Sequence, residues 1–161
     1  MSLVLNGDNG ITFPNSSVQA SAGSVLQVVQ GSTSTQVSNS TNVFVDTTLT
    51  ATITPKFATS KILVLVSQQG LYKSAANVAN QIAIKLFRGA TDLGQRVYAW
   101  GYMNNATVLT GSASFEYLDS PATTSATTYK TQFNEGNNTA AAIVQLDSVA
   151  ISTITLLEIA A

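Results

Sequence analysis

The chain carries no histidine and no cysteine, so any proton transfer near neutral pH falls to carboxylates, lysines and tyrosines. The acids are Asp8, Asp46, Asp92, Glu116, Asp119, Glu135, Asp147 and Glu158, spread one or two to a segment. Glu116 and Asp119 are the nearest separated pair. A glycosidase sets two carboxyl groups across one bond, but residues three apart in an extended chain point to opposite faces. Without His and Cys there is no Cys/His zinc set, no Ser-His-Asp triad and no Cys-His nucleophile. The phosphate-cradling patterns G-x-x-x-x-G-K and G-x-G-x-x-G are absent. Asp8-Asn9-Gly10 begins like a calcium loop but lacks the loop spacing and the distal Glu, so it reads as turn chemistry. The expectation is a chain that is not an enzyme and holds no metal or cofactor. A small carbohydrate-active enzyme resting on the scattered acids ranks last.

Aromatic side chains offer a different chemistry. In the segment 95–102 (QRVYAWGY), strict alternation puts Tyr98, Trp100 and Tyr102 on one strand face. Three aromatics in a row either stack on sugar rings or fill a core or subunit interface, and packing is the commoner use. Residues 103–110 and 134–140 are polar candidates for loops around such a site. Asn-x-Ser/Thr sequons stand at Asn15, Asn39, Asn105 and Asn137. In a chain so rich in Asn, Ser and Thr they read as chance matches rather than glycan acceptors.

Composition narrows the partners. Charged residues make up 9% of the 161, and the net charge is −1, against roughly 25% charged in ordinary soluble domains. No basic field exists for a phosphate backbone, so nucleic acid is not an expected partner. Sixty-one residues are Thr, Ser, Asn or Gln, while 45% are hydrophobic. That is too much Val, Ile and Leu for disorder. A near-neutral, apolar-rich chain of this kind associates readily, which points to an assembly component. The first residues, MSLVLNGDNG, show no basic or long apolar signal region. No apolar run approaches the roughly 20 residues of a spanning helix, so membrane insertion is not expected.

The elements that position these residues follow from a period of two, with no helical stripe. At this length a single core can bury roughly 70% of the unfolded surface. Residues 3–13 read as apolar L-V-L, the tight-turn signal NGDNG, and I-T-F. Residues 15–24 are small and polar, as in a linker or arm. Strands are expected at 25–30, 43–53, 61–67, 81–88, 95–102, 112–118, 127–133 and 151–159. Along 43–53, Val43, Val45, Leu49, Ala51 and Ile53 share one face. Pro55 ends that strand. Ile62 to Val66 is apolar on both faces, as in a strand covered on both sides within the domain or by a neighbouring subunit. Seven or eight such strands between Gly/Asn/Ser/Thr loops predict an all-β fold, an antiparallel two-sheet jelly-roll sandwich over 25–161. A short N-terminal hairpin or extended arm over 1–24 precedes it. An immunoglobulin-like sandwich is the second choice, without its Cys-Trp-Cys signature.

Four segments carry a resemblance. They are GDNGITFPNSSVQASA (7–22), SKILVLVS (60–67), DSPATTSATTYKTQ (119–132) and STITLLEIA (152–160). In this order the last three resemble a family of tailed-bacteriophage virion proteins, structural and tail-fibre-like, and the first resembles the entry segment ahead of phage fibre modules. The resemblance implies a trimeric jelly roll of the tumour necrosis factor type, on the exterior of a virion. Fibre members carry a long shaft before the head, whereas about 24 residues precede the first firm strand here. The expected function is therefore a non-enzymatic knob that decorates or cements the capsid, a homotrimer contacting other virion proteins of capsid or tail. Leu3, Leu5, Ile11 and Phe13 are its candidate docking residues. Tyr98, Trp100 and Tyr102 are candidates for the trimer interface or for glycan stacking. The alternative is a short tail-fibre or receptor-binding protein whose partner is a host-surface glycan.

Overall fold

The computed structural model describes residues 4–6, 10–12, 18–19, 25–74, 79–103, 105, 107–138 and 140–160. Among them there is no α-helix, and one 3-10 turn, Leu146–Ser148, is the sole helical element. The N-terminal part forms a small antiparallel sheet of β1 (Val4–Asn6), β2 (Gly10–Thr12) and β3 (Val18–Gln19). The strands β4 (Val25–Thr33), β5 (Val37–Asn39), β6 (Val45–Ile53) and β7 (Lys61–Lys73) come next. They are followed by β8 (Ile82–Arg88), β9 (Thr91–Trp100), β10 (Leu109–Asp119), β11 (Thr127–Glu135), β12 (Ala142–Val144) and β13 (Ser152–Ile159).

All eight long strands expected from the period of two are present, in two antiparallel sheets. One sheet runs β4-β13-β7-β10, and the other runs β6-β11-β8-β9. Numbering the long strands one to eight along the chain, the first sheet holds strands 1, 8, 3 and 6. The second holds 2, 7, 4 and 5. Each sheet thus interleaves strands from the two ends of the chain. That is the order obtained by folding one long antiparallel ribbon over on itself, the jelly roll. The immunoglobulin-like order is not adopted.

β7 continues past the expected stop at Ser67. Its first half pairs with β13 and its last two residues pair with β12, while β10 lines the other edge. The hinge is Gly70, at φ 60° inside a bulge opposite the Gly111/Ala113 step. A non-glycine residue adopts that φ at a cost.

Burial follows the pleat. In β6 every second residue from Thr47 to Ile53 is buried, and Tyr129 and Phe133 of β11 are fully buried. One core cluster gathers Leu49, Ile53, Ile62, Val64, Leu86, Tyr129, Ile154 and Leu156 from both sheets. A second gathers Leu71, Ile82, Ile84, Phe133, Ala142 and Val144. A bridge of neutral polar groups also crosses between the sheets. Thr47 Oγ1 lies 2.5 Å from Thr131 Oγ1, which donates to Gln68 Oε1 at 3.1 Å. Gln68 Nε2 in turn donates to Ser152 Oγ at 3.1 Å. The four residues are buried, and each hydroxyl or amide satisfies another, so the core tolerates them.

The sandwich has two ends. At one lie Val25, Ile159 and Lys61, joined in register, with the 54–60 loop tied to them by Gln27 Nε2 to Thr54 O at 2.7 Å. At the other lie the 79–81 segment, the end of β9 and the turn after β11. The N-terminal part therefore joins the sandwich at the end opposite that turn.

Candidate functional site

The closest acid pair does not converge. Glu116 is exposed on the outer side of β10, while Asp119 is buried. Both Asp119 oxygens are taken. Arg88 Nη1 donates to them at 2.9 and 2.8 Å, and the Tyr129 hydroxyl donates at 2.6 Å. Burial first, and the neighbouring carboxylate second, hold the Tyr129 phenol above its ordinary pKa. This cluster seals the N-terminal end of the core. Glu158 does similar work for the 54–60 loop. It accepts from Gln27 at 2.6 Å and from the Lys56 and Phe57 amides at 2.7 and 3.3 Å. Its burial opposes the charge, but these donors outweigh it and leave the pKa below the ordinary value. Among the described residues no three acids cluster as a metal site.

The two outer sheet faces differ. Outside β6-β11-β8-β9 the surface is polar and paired within itself. Lys130 meets Asp46 at 2.8 Å, Lys85 meets Asp92 at 2.6 Å, and the Thr52 and Thr128 hydroxyls meet at 2.7 Å. Outside β4-β13-β7-β10, the registers put Val28, Leu157, Leu63 and Leu118 in one row across four strands. Leu65 stands in the next row beside Thr155 and Glu116. Val28, Leu118 and Leu65 are 59%, 50% and 40% exposed. The apolar run on both faces of 62–66 is thus covered inside by the core and left open outside. Lys61 and Glu116 carry opposite charges on either side of the apolar row.

The aromatic row expected along β9 is broken. Between Val97 and Trp100 the strand has one residue more than β8 opposite it, and Ala99 sits at φ 53°. Trp100 therefore turns in against the second core cluster, while Tyr98 and Tyr102 stay out, 80% and 56% exposed. The alternation missed this because the bulge forms at an alanine, which carries no turn signal. Tyr98 and Tyr102 instead border a cleft of about 410 Å³ with Ala79, Gln81, Ala99 and Asn137. Asn137 belongs to the 134–140 segment singled out as a loop, and Tyr102 adjoins 103–110. Gln81 carried no sequence signal.

Of the docking candidates, Leu5 and Ile11 are direct partners across the β1–β2 pair. Leu3 and Phe13 lie outside the described residues.

No protein-family model matches the chain, and no curated protein matches it. Among solved structures, it is similar to a chain from the structure of infectious bursal disease virus, Gt strain. The match covers 83% of this chain and 40% of that one, with 11% identity and a TM-score of 0.44. The chain thus spans two fifths of that neighbour's length.

Proposed function

We propose that the chain is a non-enzymatic structural protein of a tailed-phage virion, a jelly-roll knob that trimerises and sits on the particle exterior, decorating or cementing the capsid. The sequence resemblance supplies the phage. The observation that carries the assembly role is the apolar row of Val28, Leu157, Leu63 and Leu118, set against an opposite face that is polar and internally paired. A second copy of the chain is its occupant. Lys61 and Glu116 flank the row with opposite signs, so a copy laid across it can pair both charges.

Such a patch is on the order of 400 Å², in the range where monomer surfaces carry function. At about 25 cal/mol per Å² it contributes roughly 10 kcal/mol gross. Association costs a comparable amount, about 4–15 kcal/mol, so neighbouring polar rows must join the contact. The N-terminal segment enters the sandwich beside Val25 and serves as the arm that docks on the shell. Deleting residues 1–22 should leave a folded oligomer of unchanged order that no longer binds particles. Normal particle binding by that truncation would remove the arm from the account.

A second reading, a short tail-fibre or receptor-binding protein that recognises host-surface glycans, is favoured by one observation. The cleft between Tyr98 and Tyr102 lies at the end of the sandwich opposite Val25.

A further inference from the structure

We infer that this cleft binds the uncharged terminal pyranose of a glycan. The inference deepens the second reading and does not depend on the first, since a knob that binds no sugar can still dock and assemble.

A pyranose presents an apolar face of C–H groups and a rim of hydroxyls, without charge. Its binding site needs an exposed aromatic ring, fixed amide or hydroxyl partners around it, and no strong field. The cleft supplies each. Tyr98 and Tyr102 are the most exposed aromatic rings at this end of the fold, and a tyrosine offers both a ring face and a hydroxyl. The Gln81 side-chain amide makes no hydrogen bond among the described residues, so its donor and acceptor are available. The Asn137 side-chain amide donates to the Ala79 carbonyl, which leaves Asn137 Oδ1 as an acceptor. None of the six lining residues is charged. The volume, about 410 Å³, lies within the range of small-ligand sites.

Two further features show construction rather than accident. The walls are tied together behind the cleft. Glu135 accepts from the backbone N–H of Gln81 at 3.4 Å and of Asn137 at 3.1 Å, and the Gly136 backbone N–H donates to Gln81 O at 3.1 Å. The backbone that carries Gln81 and Asn137 is thus fixed, and the Asn137 side chain is held on Ala79, before a ligand arrives, which lowers the cost of binding. In addition, Ala99 is held at φ 53° and Gly101 at φ 78°, with the Tyr102 amide closing the turn on Ala99 O at 3.1 Å. A left-handed alanine is strained backbone. Its effect is to turn Trp100 into the core, so that Tyr98 and Tyr102 are the aromatic rings left on the cleft's rim.

The test is a titration of the full chain, labelled with nitrogen-15, with methyl β-galactopyranoside, methyl α-mannopyranoside, N-acetylglucosamine and, as a charged comparison, glucuronate. At least one neutral probe should shift the side-chain amide signals of Gln81 and Asn137. Tyr98→Ala should weaken that binding about tenfold, Tyr98→Phe should largely keep it, and both variants should retain the wild-type oligomeric state. The inference is overturned by no shift with any neutral probe, by shifts mapping to another surface, or by equal binding by Tyr98→Ala. Glucuronate binding as tightly as the best neutral sugar would also overturn it. Particle binding by the Tyr98→Ala chain reports separately on the virion role.

Discussion

The Arg88–Asp119–Tyr129 cluster makes a sharp stability prediction, because one carboxylate satisfies a buried hydroxyl and a partly buried guanidinium. Tyr129→Phe removes only the hydroxyl. The ring remains in its fully buried site, so no cavity opens, and the loss is one hydrogen bond to a charged acceptor, about 1.5–3 kcal/mol. Asp119→Ala removes more. It strands the Tyr129 hydroxyl in the core and leaves Arg88 Nη1 without the two carboxylate oxygens it donates to. Breaking a fully buried ion pair costs about 3–5 kcal/mol. The Arg88 side chain is 27% exposed, so water recovers part of that, and the expected loss is about 3 kcal/mol. In a chain of this size each kcal/mol moves Tm by about 2–4 °C. Tyr129→Phe should therefore lower Tm by roughly 4–8 °C for a loss near 2 kcal/mol, and Asp119→Ala by more. The assay is thermal and urea unfolding at one protein concentration, completed by the double variant. Because both changes act on one hydrogen-bonded unit, the double variant should cost little more than Asp119→Ala alone. A Tyr129→Phe variant as stable as wild type, or a double variant whose losses simply add, would refute the cluster as a structural unit.

Gly70→Ala places a Cβ 2.5 Å from the Leu146 amide nitrogen at φ 60°, and should cost on the order of 2–4 kcal/mol as a fall in urea midpoint. An unchanged midpoint would show that the bulge has slack. Glu158 has a lowered pKa in the folded chain. The stability it supplies is present above its unfolded pKa of about 4.3 and is lost as pH falls through the lower folded value. Urea midpoints measured from neutral to acid pH should fall less steeply for Glu158→Gln than for wild type. Parallel curves would mean that Glu158 is not a source of the acid sensitivity.

Much of the fold was legible because the outer and inner faces of each strand differ. Along 45–53 the alternation of Thr and Asp with Val, Leu, Ala and Ile was sufficient to place the strand and its buried side. The reading stopped short at Gln68-Gln69-Gly70, where polarity suggested an end. In the structure Gln68 is buried because Thr131 and Ser152 satisfy its amide, and Gly70 supplies the bend. The aromatic stripe failed for a related reason, since a bulge at Ala99 moves Trp100 to the inner side. Leu63 and Leu65 can be read as part of a run apolar on both faces, covered within the domain or by a neighbouring subunit. Their row-mates Val28, Leu157 and Leu118 cannot be read from the sequence, because the row exists only once four strands distant in sequence take their register. The cleft is of the same kind, assembled from 79–81, 98–102 and 137.

Copies of the chain are proposed to cover the open β4-β13-β7-β10 face. Sedimentation equilibrium of the full chain, run beside Leu65→Glu, tests this most directly. A trimer for wild type and a folded monomer for the variant is the expected result. A wild-type chain that stays monomeric at high concentration, or a Leu65→Glu chain that still forms the trimer, would contradict the account.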